Sequence, residues 1–67
     1  MAEKLIRIKD VVSQTGLGRS TVYKLIGEGL FPSPLHPVGR ASAWPESEVQ
    51  RWIAARIAAR PVTGQEG

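Results

Sequence analysis

A single glycine, Gly16, separates two short amphipathic segments of this 67-residue sequence and constrains the fold more than any other residue. Before it, apolar or small side chains recur at the i, i+3, i+4 and i+7 spacing of one helical face. These residues are Ile8, Val11, Val12 and Thr15. A glycine readily adopts the left-handed conformation that ends a helix, and Asp10 lies where the helix dipole favours an acid. The pattern predicts a first helix that ends by Thr15, with Leu17 filling the corner that follows.

The residues after Gly18 predict a second helix, which weakens at Gly27 and Gly29. At about 100° per residue, Val22, Leu25 and Ile26 share an inner side. Ser20, Lys24 and Gly27 share the opposite side, and Thr21 and Tyr23 lie on the flanks. Two short helices joined at a tight glycine turn are typical of a helix-turn-helix, whose second helix enters the DNA major groove.

This second helix carries most of the predicted contacts with double-stranded DNA. Short polar side chains let a helix approach the bases, and donors then reach base edges and phosphates. Ser20, Thr21 and Lys24 are predicted to contact bases, with Lys24 at guanine, and Arg19 a base or a phosphate. Tyr23 is predicted to donate its hydroxyl to a phosphate. The alternative is that Ser20 and Thr21 serve only as helix caps.

A proline-rich stretch follows, in which Pro32, Pro34 and Pro37 exclude a helix and force an extended path. We predict a two-stranded ribbon, from residues 35–38 and 41–44, that turns at Gly39 and Arg40. An irregular proline-rich loop is the alternative. Arg40 is a candidate for a minor-groove or phosphate contact, although a lone arginine on a turn is often merely solvated.

The two ends of the domain are predicted from shorter patterns. Residues 5–8 are apolar enough for a brief edge strand or an extended lead-in. Pro45 suits the first turn of a third helix, which should stop before Pro61. Its inner face comprises Val49, Trp52, Ile53 and Ile57, and Arg56 and Arg60 emerge past the edge of the core. Trp44 and Trp52 are predicted to anchor the core. We therefore expect one domain over residues 1–60 and a disordered tail over residues 61–67.

Composition narrows the possible functions. The chain has no cysteine and a single histidine, so neither disulfides nor a structural zinc site is expected, and no cofactor is predicted. We find no phosphate-binding glycine motif, nucleophile or ligand cluster that favours an enzyme. The net charge of +3 favours a polyanionic partner. Charges interrupt the N-terminal residues too often for a signal peptide or a membrane span, which predicts a cytoplasmic protein with no membrane partner.

Several of these segments together resemble a known family. The run LIRIKDVVSQTGLGRSTVYKLIGEGLFPSP, then GRASAW, then SEVQRWI, closely resembles the AlpA-type phage regulators, which are MerR-like and excisionase-like proteins. The resemblance covers residues 5–58. It implies a mainly α winged helix-turn-helix, with three helices plus a two-stranded hairpin, and a recognition helix over residues 19–28. It also implies transcription regulation in a prophage or mobile element, or an excisionase role in directing recombination.

The chain departs from the family pattern at two positions. Pro37 replaces an ordinary strand residue, and Gly18 replaces a commoner serine, which together predict a less regular ribbon and one fewer capping bond. The further partners that the resemblance implies are a second copy on DNA, an integrase or the transcription machinery. A second hypothesis keeps the fold but makes it a protein-interaction or assembly adaptor, similar to phage terminase small subunits.

Overall fold

The computed structural model describes residues 3–60, which form three helices and three short strands. In chain order these are β1 (Leu5–Ile6), α1 (Ile8–Thr15), α2 (Arg19–Gly27), β2 (Leu35–Val38), β3 (Ala41–Pro45) and α3 (Glu46–Ala59). The mainly helical fold with a small β-wing is confirmed. The tail predicted for residues 61–67 lies outside the described residues. Within residues 3–60, no helix has both the length and the apolar character needed to cross a membrane.

The turn between α1 and α2 is built as the sequence predicts. Gly16 has φ +76°, and its N–H donates to the Val12 carbonyl at 2.9 Å, which closes α1. The Thr15 hydroxyl donates to the Val11 carbonyl at 2.8 Å and accepts the Leu17 N–H at 3.2 Å. Leu17 is half-buried against the core, so the corner is both hydrogen-bonded and filled.

The sheet has one strand more than the predicted hairpin. Strand β3 lies in the centre and pairs antiparallel with β1 on one side and β2 on the other. Ile6 pairs with Trp44, so the segment predicted as an edge strand or a lead-in is an edge strand of the sheet. The ribbon over β2 and β3 is confirmed, and the irregular-loop alternative is wrong. A register shift between Leu35 and Val38 brackets Pro37, as the departure from the family pattern predicts.

Helix α3 begins one residue later than predicted. Pro45 has φ −62° and ψ 126°, so it ends β3 and precedes the helix instead of occupying its first turn. Proline has no side-chain group that can accept a backbone N–H, so the start of α3 is capped by Glu3, which is distant in the sequence. Its carboxylate accepts the Ser47 N–H at 3.2 Å and the Ser47 hydroxyl at 2.6 Å. The helix ends at Ala59, before Pro61, as predicted.

The core lies where α1, α2, α3 and β3 meet. Its fully or nearly buried residues are Ile6, Val11, Val22, Phe31, Ala43, Trp44 and Val49. Trp44 anchors it, with 0% exposure and an indole N–H that donates to the Pro32 carbonyl at 2.8 Å. Trp52 is half-buried and donates to the Leu30 carbonyl at 2.7 Å. Ile57, predicted on the inner face of α3, is instead 56% exposed because it lies beyond the edge of the core.

Candidate nucleic-acid interface

Helix α2 has one face in the core and the opposite face in solvent. Val22 is fully buried, and Leu25 and Ile26 are half-buried against the core. Ser20 and Lys24 on the outer side are exposed, as are Thr21 on a flank and Arg19 at the start of the helix. Tyr23, on the flank, is 40% exposed. The amphipathic division predicted from the sequence is therefore present, and the candidate DNA-contacting side chains of α2 reach solvent from a single helix of nine residues.

The hydroxyl side chains of Ser20 and Thr21 do not cap α2. Gly18 precedes the helix in an extended conformation, with φ −70° and ψ 158°, and provides no side-chain cap. Arg19 is the first helical residue, so Ser20 and Thr21 are the second and third. A capping side chain comes from the residue before the first helical one. The alternative that Ser20 and Thr21 are only caps is wrong, and both hydroxyls lie exposed on the first turn.

Arg40 lies apart from the α2 residues, at the tip of the wing between β2 and β3. Gly39, beside it, has φ +55°, a left-handed conformation that allows the tight turn. Arg40 is exposed, and Val38 on the other side of the turn is 75% exposed. The six candidate residues thus form two groups, five on α2 and one on the wing, each on an element anchored to the core.

The charged residues of α2 and the wing favour an anionic ligand. From residue 11 to residue 45 the cations are Arg19, Lys24 and Arg40, and the only acid is Glu28. Glu28 follows the last residue of α2, at the opposite end from Arg19. Within residues 3–60, no cluster of histidine, aspartate and glutamate side chains is suited to holding a metal ion.

Polar side chains that no sequence pattern indicates fix α1 against α3. The Gln14 amide donates to the Glu46 carboxylate at 3.1 Å, and its carbonyl oxygen accepts the Gln50 amide at 2.6 Å. These residues are 32 and 36 positions apart, so no local pattern in the sequence pairs them. The bridge joins the helix-turn-helix to α3, which directly follows the wing, and so helps to set their relative position.

Comparison with known proteins is consistent with this arrangement. The family model described as prophage CP4-57 regulatory protein (AlpA) matches residues 4–57, which include all the helices except the last two residues of α3. A protein of Enterobacteria phage P4, described as uncharacterized protein ORF88, is 45% identical over 58 residues. That match covers 87% of this chain and 66% of the phage P4 protein, so the chain spans just under two thirds of its relative's length. The chain belongs to the AlpA family of prophage regulatory proteins.

Proposed function

We propose that the protein binds specific sequences of double-stranded DNA and acts as a small transcriptional regulator of a prophage or mobile element. The observation that carries this proposal is the outer face of α2. Ser20 and Lys24 are exposed on that face, and Thr21 on the flank and Arg19 at the start of the helix are exposed beside them. The opposite side of the helix packs against the core, and none of the four residues caps the helix. A rigid helix with short donors on its outer face suits the major groove. Membership of a regulatory family supports the same function.

Each side chain is proposed for the contact that its length and charge allow. Lys24 reaches a guanine edge, which offers acceptors in the major groove. Ser20 and Thr21 are short enough for close approach and contact bases through their hydroxyls. Arg19, at the start of the helix, contacts a base or a phosphate, and Tyr23 donates to a phosphate. Arg40 on the wing contacts a phosphate or the minor groove.

Two further roles are compatible with the same fold. As an excisionase-like factor, the protein would direct site-specific recombination through DNA bending, with a second copy on DNA or an integrase as its partner. As an adaptor, similar to a terminase small subunit, it would keep the fold and use protein partners instead. Contact between α2 and DNA would distinguish a regulator or an excisionase, which both bind DNA through this helix, from an adaptor, which binds proteins. An integrase gene beside this one would favour the excisionase or prophage-control role.

A mobility-shift titration of the full chain tests DNA binding, with DNA from upstream of its own gene and random DNA as competitor. If two to four phosphates are neutralised, log K should fall with log salt at a slope of roughly −2 to −4. The variant R19A/K24A should lose specific binding. The control R51A/R60A removes the same charge from exposed positions on and next to α3 and should keep it. An affinity that does not depend on salt concentration, or specific binding that persists in R19A/K24A, would contradict the proposal.

Footprinting then tests the arrangement on DNA. Protected sites repeated at about 34 Å, one helical turn, would indicate paired copies on one face of the duplex. Absence of any shift on native or random DNA at low salt would favour the adaptor role.

A further inference from the structure

A groove with an apolar floor lies between α2 and α3, away from the outer face of α2. It is lined mainly by Leu17, Leu25, Trp52, Ile53, Arg56 and Ile57. Leu17, Leu25 and Ile53 are only half-buried, so each leaves apolar surface open to the groove. Ile57, at 56% exposure, adds a fully aliphatic side chain at the rim. From Trp52 to Ile57 the groove follows α3 for about 8 Å, since a helix rises 1.5 Å per residue.

The charge beside this floor is positive. Arg56 is the charged residue that lines the groove, and its guanidinium lies 5.4 Å from the centre of the Trp52 ring. This cation–π contact holds the guanidinium beside the apolar floor. After Glu48, the charged residues of α3 and its C-cap are Arg51, Arg56 and Arg60, all exposed. The acids of α3 are confined to its first turn, at the opposite end from Arg56.

We propose that this groove binds an acidic segment of a partner protein, in which apolar side chains fill the floor and a carboxylate pairs with Arg56. The apolar floor fits protein side chains better than phosphates, because burial of Leu25, Ile53 and Ile57 is favourable only against apolar atoms. The cation next to that floor selects the sign of the partner's charge. The length of the groove fits about one and a half turns of an amphipathic helix.

The groove and the proposed DNA-contacting face can be occupied together. Leu25 lies about 100° from Lys24 around α2 and lines the groove together with Trp52 and Ile53 of α3. A partner in the groove therefore contacts the flank of α2 that also carries Thr21, four residues before Leu25, and leaves Ser20 and Lys24 open. The proposal goes beyond DNA binding and does not depend on it, since the lining residues differ from the six candidate DNA-contacting residues.

A peptide titration followed by NMR tests the proposal on the ¹⁵N-labelled full chain. The probe is a synthetic amphipathic peptide with leucines at the i, i+3 and i+7 positions of a helix and glutamates elsewhere. The control peptide keeps the leucines and carries lysines in place of the glutamates. We expect the Trp52 indole N–H and the backbone of Leu25 and Arg56 to shift, and the acidic peptide to bind at least about fivefold more tightly than the basic one.

One matched pair of variants and two further variants locate the binding site. R56Q should weaken binding of the acidic peptide about fivefold. R51Q makes the same change one and a half turns away, outside the groove, and should leave the affinity unchanged. I57S, at an exposed position that does not disturb the core, should weaken both peptides. R19A/K24A, which should abolish DNA binding, should leave peptide affinity unchanged, so the two proposals fail separately.

Four results would overturn the proposal. Equal affinity for the acidic and basic peptides, or no shift at the groove residues, would remove the assigned partner chemistry. A dimer in sedimentation that I57S abolishes would show that a second copy covers the groove. Loss of DNA affinity in R56Q, without loss of peptide affinity, would assign Arg56 to DNA instead.

Discussion

Ser20 shows how a single residue can be assigned to binding instead of folding. A serine near the start of a helix usually stabilises it by accepting a backbone N–H. Gly18 occupies the capping position here, and Ser20 is one residue inside α2 and exposed. Its hydroxyl is therefore available to a ligand at little cost to the fold.

Replacing Ser20 with alanine separates these roles. We expect S20A to change the free energy of unfolding by less than about 0.5 kcal/mol, whereas loss of a true cap costs about 1 kcal/mol. Affinity for the specific DNA site should fall. Urea unfolding and mobility shifts measure the two effects. The control S47A removes a hydroxyl that donates to Glu3, and should lower stability without changing DNA affinity. A stability loss of about 1 kcal/mol in S20A would assign the residue to folding.

The carboxylate of Glu3 gives the protein an acid-sensitive contact. The side-chain hydrogen bond from Ser47, with the Ser47 backbone N–H next in importance, lowers the pKa of Glu3 below its ordinary value. A lowered folded-state pKa means that the contact stabilises the fold fully above the unfolded value, about 4.3. The stabilisation is lost as the pH falls from there through the folded-state pKa.

The variant E3Q should therefore be less stable than the parent at pH 7, and the difference should shrink as the pH falls below about 4. Thermal unfolding at several pH values measures the difference. E48Q is a suitable control, since Glu48 also lies in the first turn of α3 and is exposed. A difference in melting temperature between E3Q and the parent that does not change with pH would contradict the assignment.

Among the elements, the turn between α1 and α2 depends on one backbone conformation. Gly16 has φ +76°, and a Cβ built there would meet no atom within 4 Å. Any penalty for a larger residue is therefore conformational and not steric. That penalty amounts to about 1 kcal/mol for a residue other than glycine.

We expect G16A to lower the free energy of unfolding by about 1 kcal/mol, as measured by urea unfolding. G27A is the matched control, since Gly27 is the last residue of α2 and also has open space around its Cβ position. Because alanine favours helix more than glycine does, G27A should be neutral or stabilising. Equal destabilisation by both changes would mean that the turn is not limited by the backbone of Gly16.

The elements that sequence predicts well are those encoded over a few neighbouring residues. Gly16 and the apolar spacing around it predict α1, α2 and the turn, and the prolines with Gly39 predict the wing. The pairing of Ile6 with Trp44 spans most of the chain, so the sequence predicts an edge strand or a lead-in at residues 5–8 without showing which strand it pairs with. The cap that Glu3 provides at Ser47 joins residues that are 44 positions apart, so it too has no local signal in the sequence. Ile57 follows the helical period of α3, but periodicity does not show that the core ends before it.

At the scale of the whole molecule, a small core supports both proposed DNA-contacting elements. Trp44 lies in β3, the strand that carries the wing, and its hydrogen bond to Pro32 also fixes the segment that leads from α2 to β2. A chain of this length has a total stability of roughly 3–10 kcal/mol. Loss of one buried contact is therefore a large fraction of the whole.

We expect W44F to lower the free energy of unfolding by about 1–3 kcal/mol, because it leaves the Pro32 carbonyl without its indole partner and creates empty volume. Helical circular dichroism and DNA binding should be lost together during urea unfolding, as expected for one cooperative unit. V38A is the control, since Val38 is 75% exposed and should change stability by less than about 0.5 kcal/mol. Separate transitions for the two signals would show that the wing and α2 unfold independently.

The placement of Pro37 has a consequence for how the protein behaves at high concentration. Strand β2 is an edge of the sheet, and all four of its residues are exposed, including Leu35 and Val38. An open apolar edge is a template on which strands of other molecules can add. Pro37 offers no N–H for such a ladder, and the register shift around it interrupts the spacing that an incoming strand would need. The residue that makes the wing irregular is thus also its protection against aggregation.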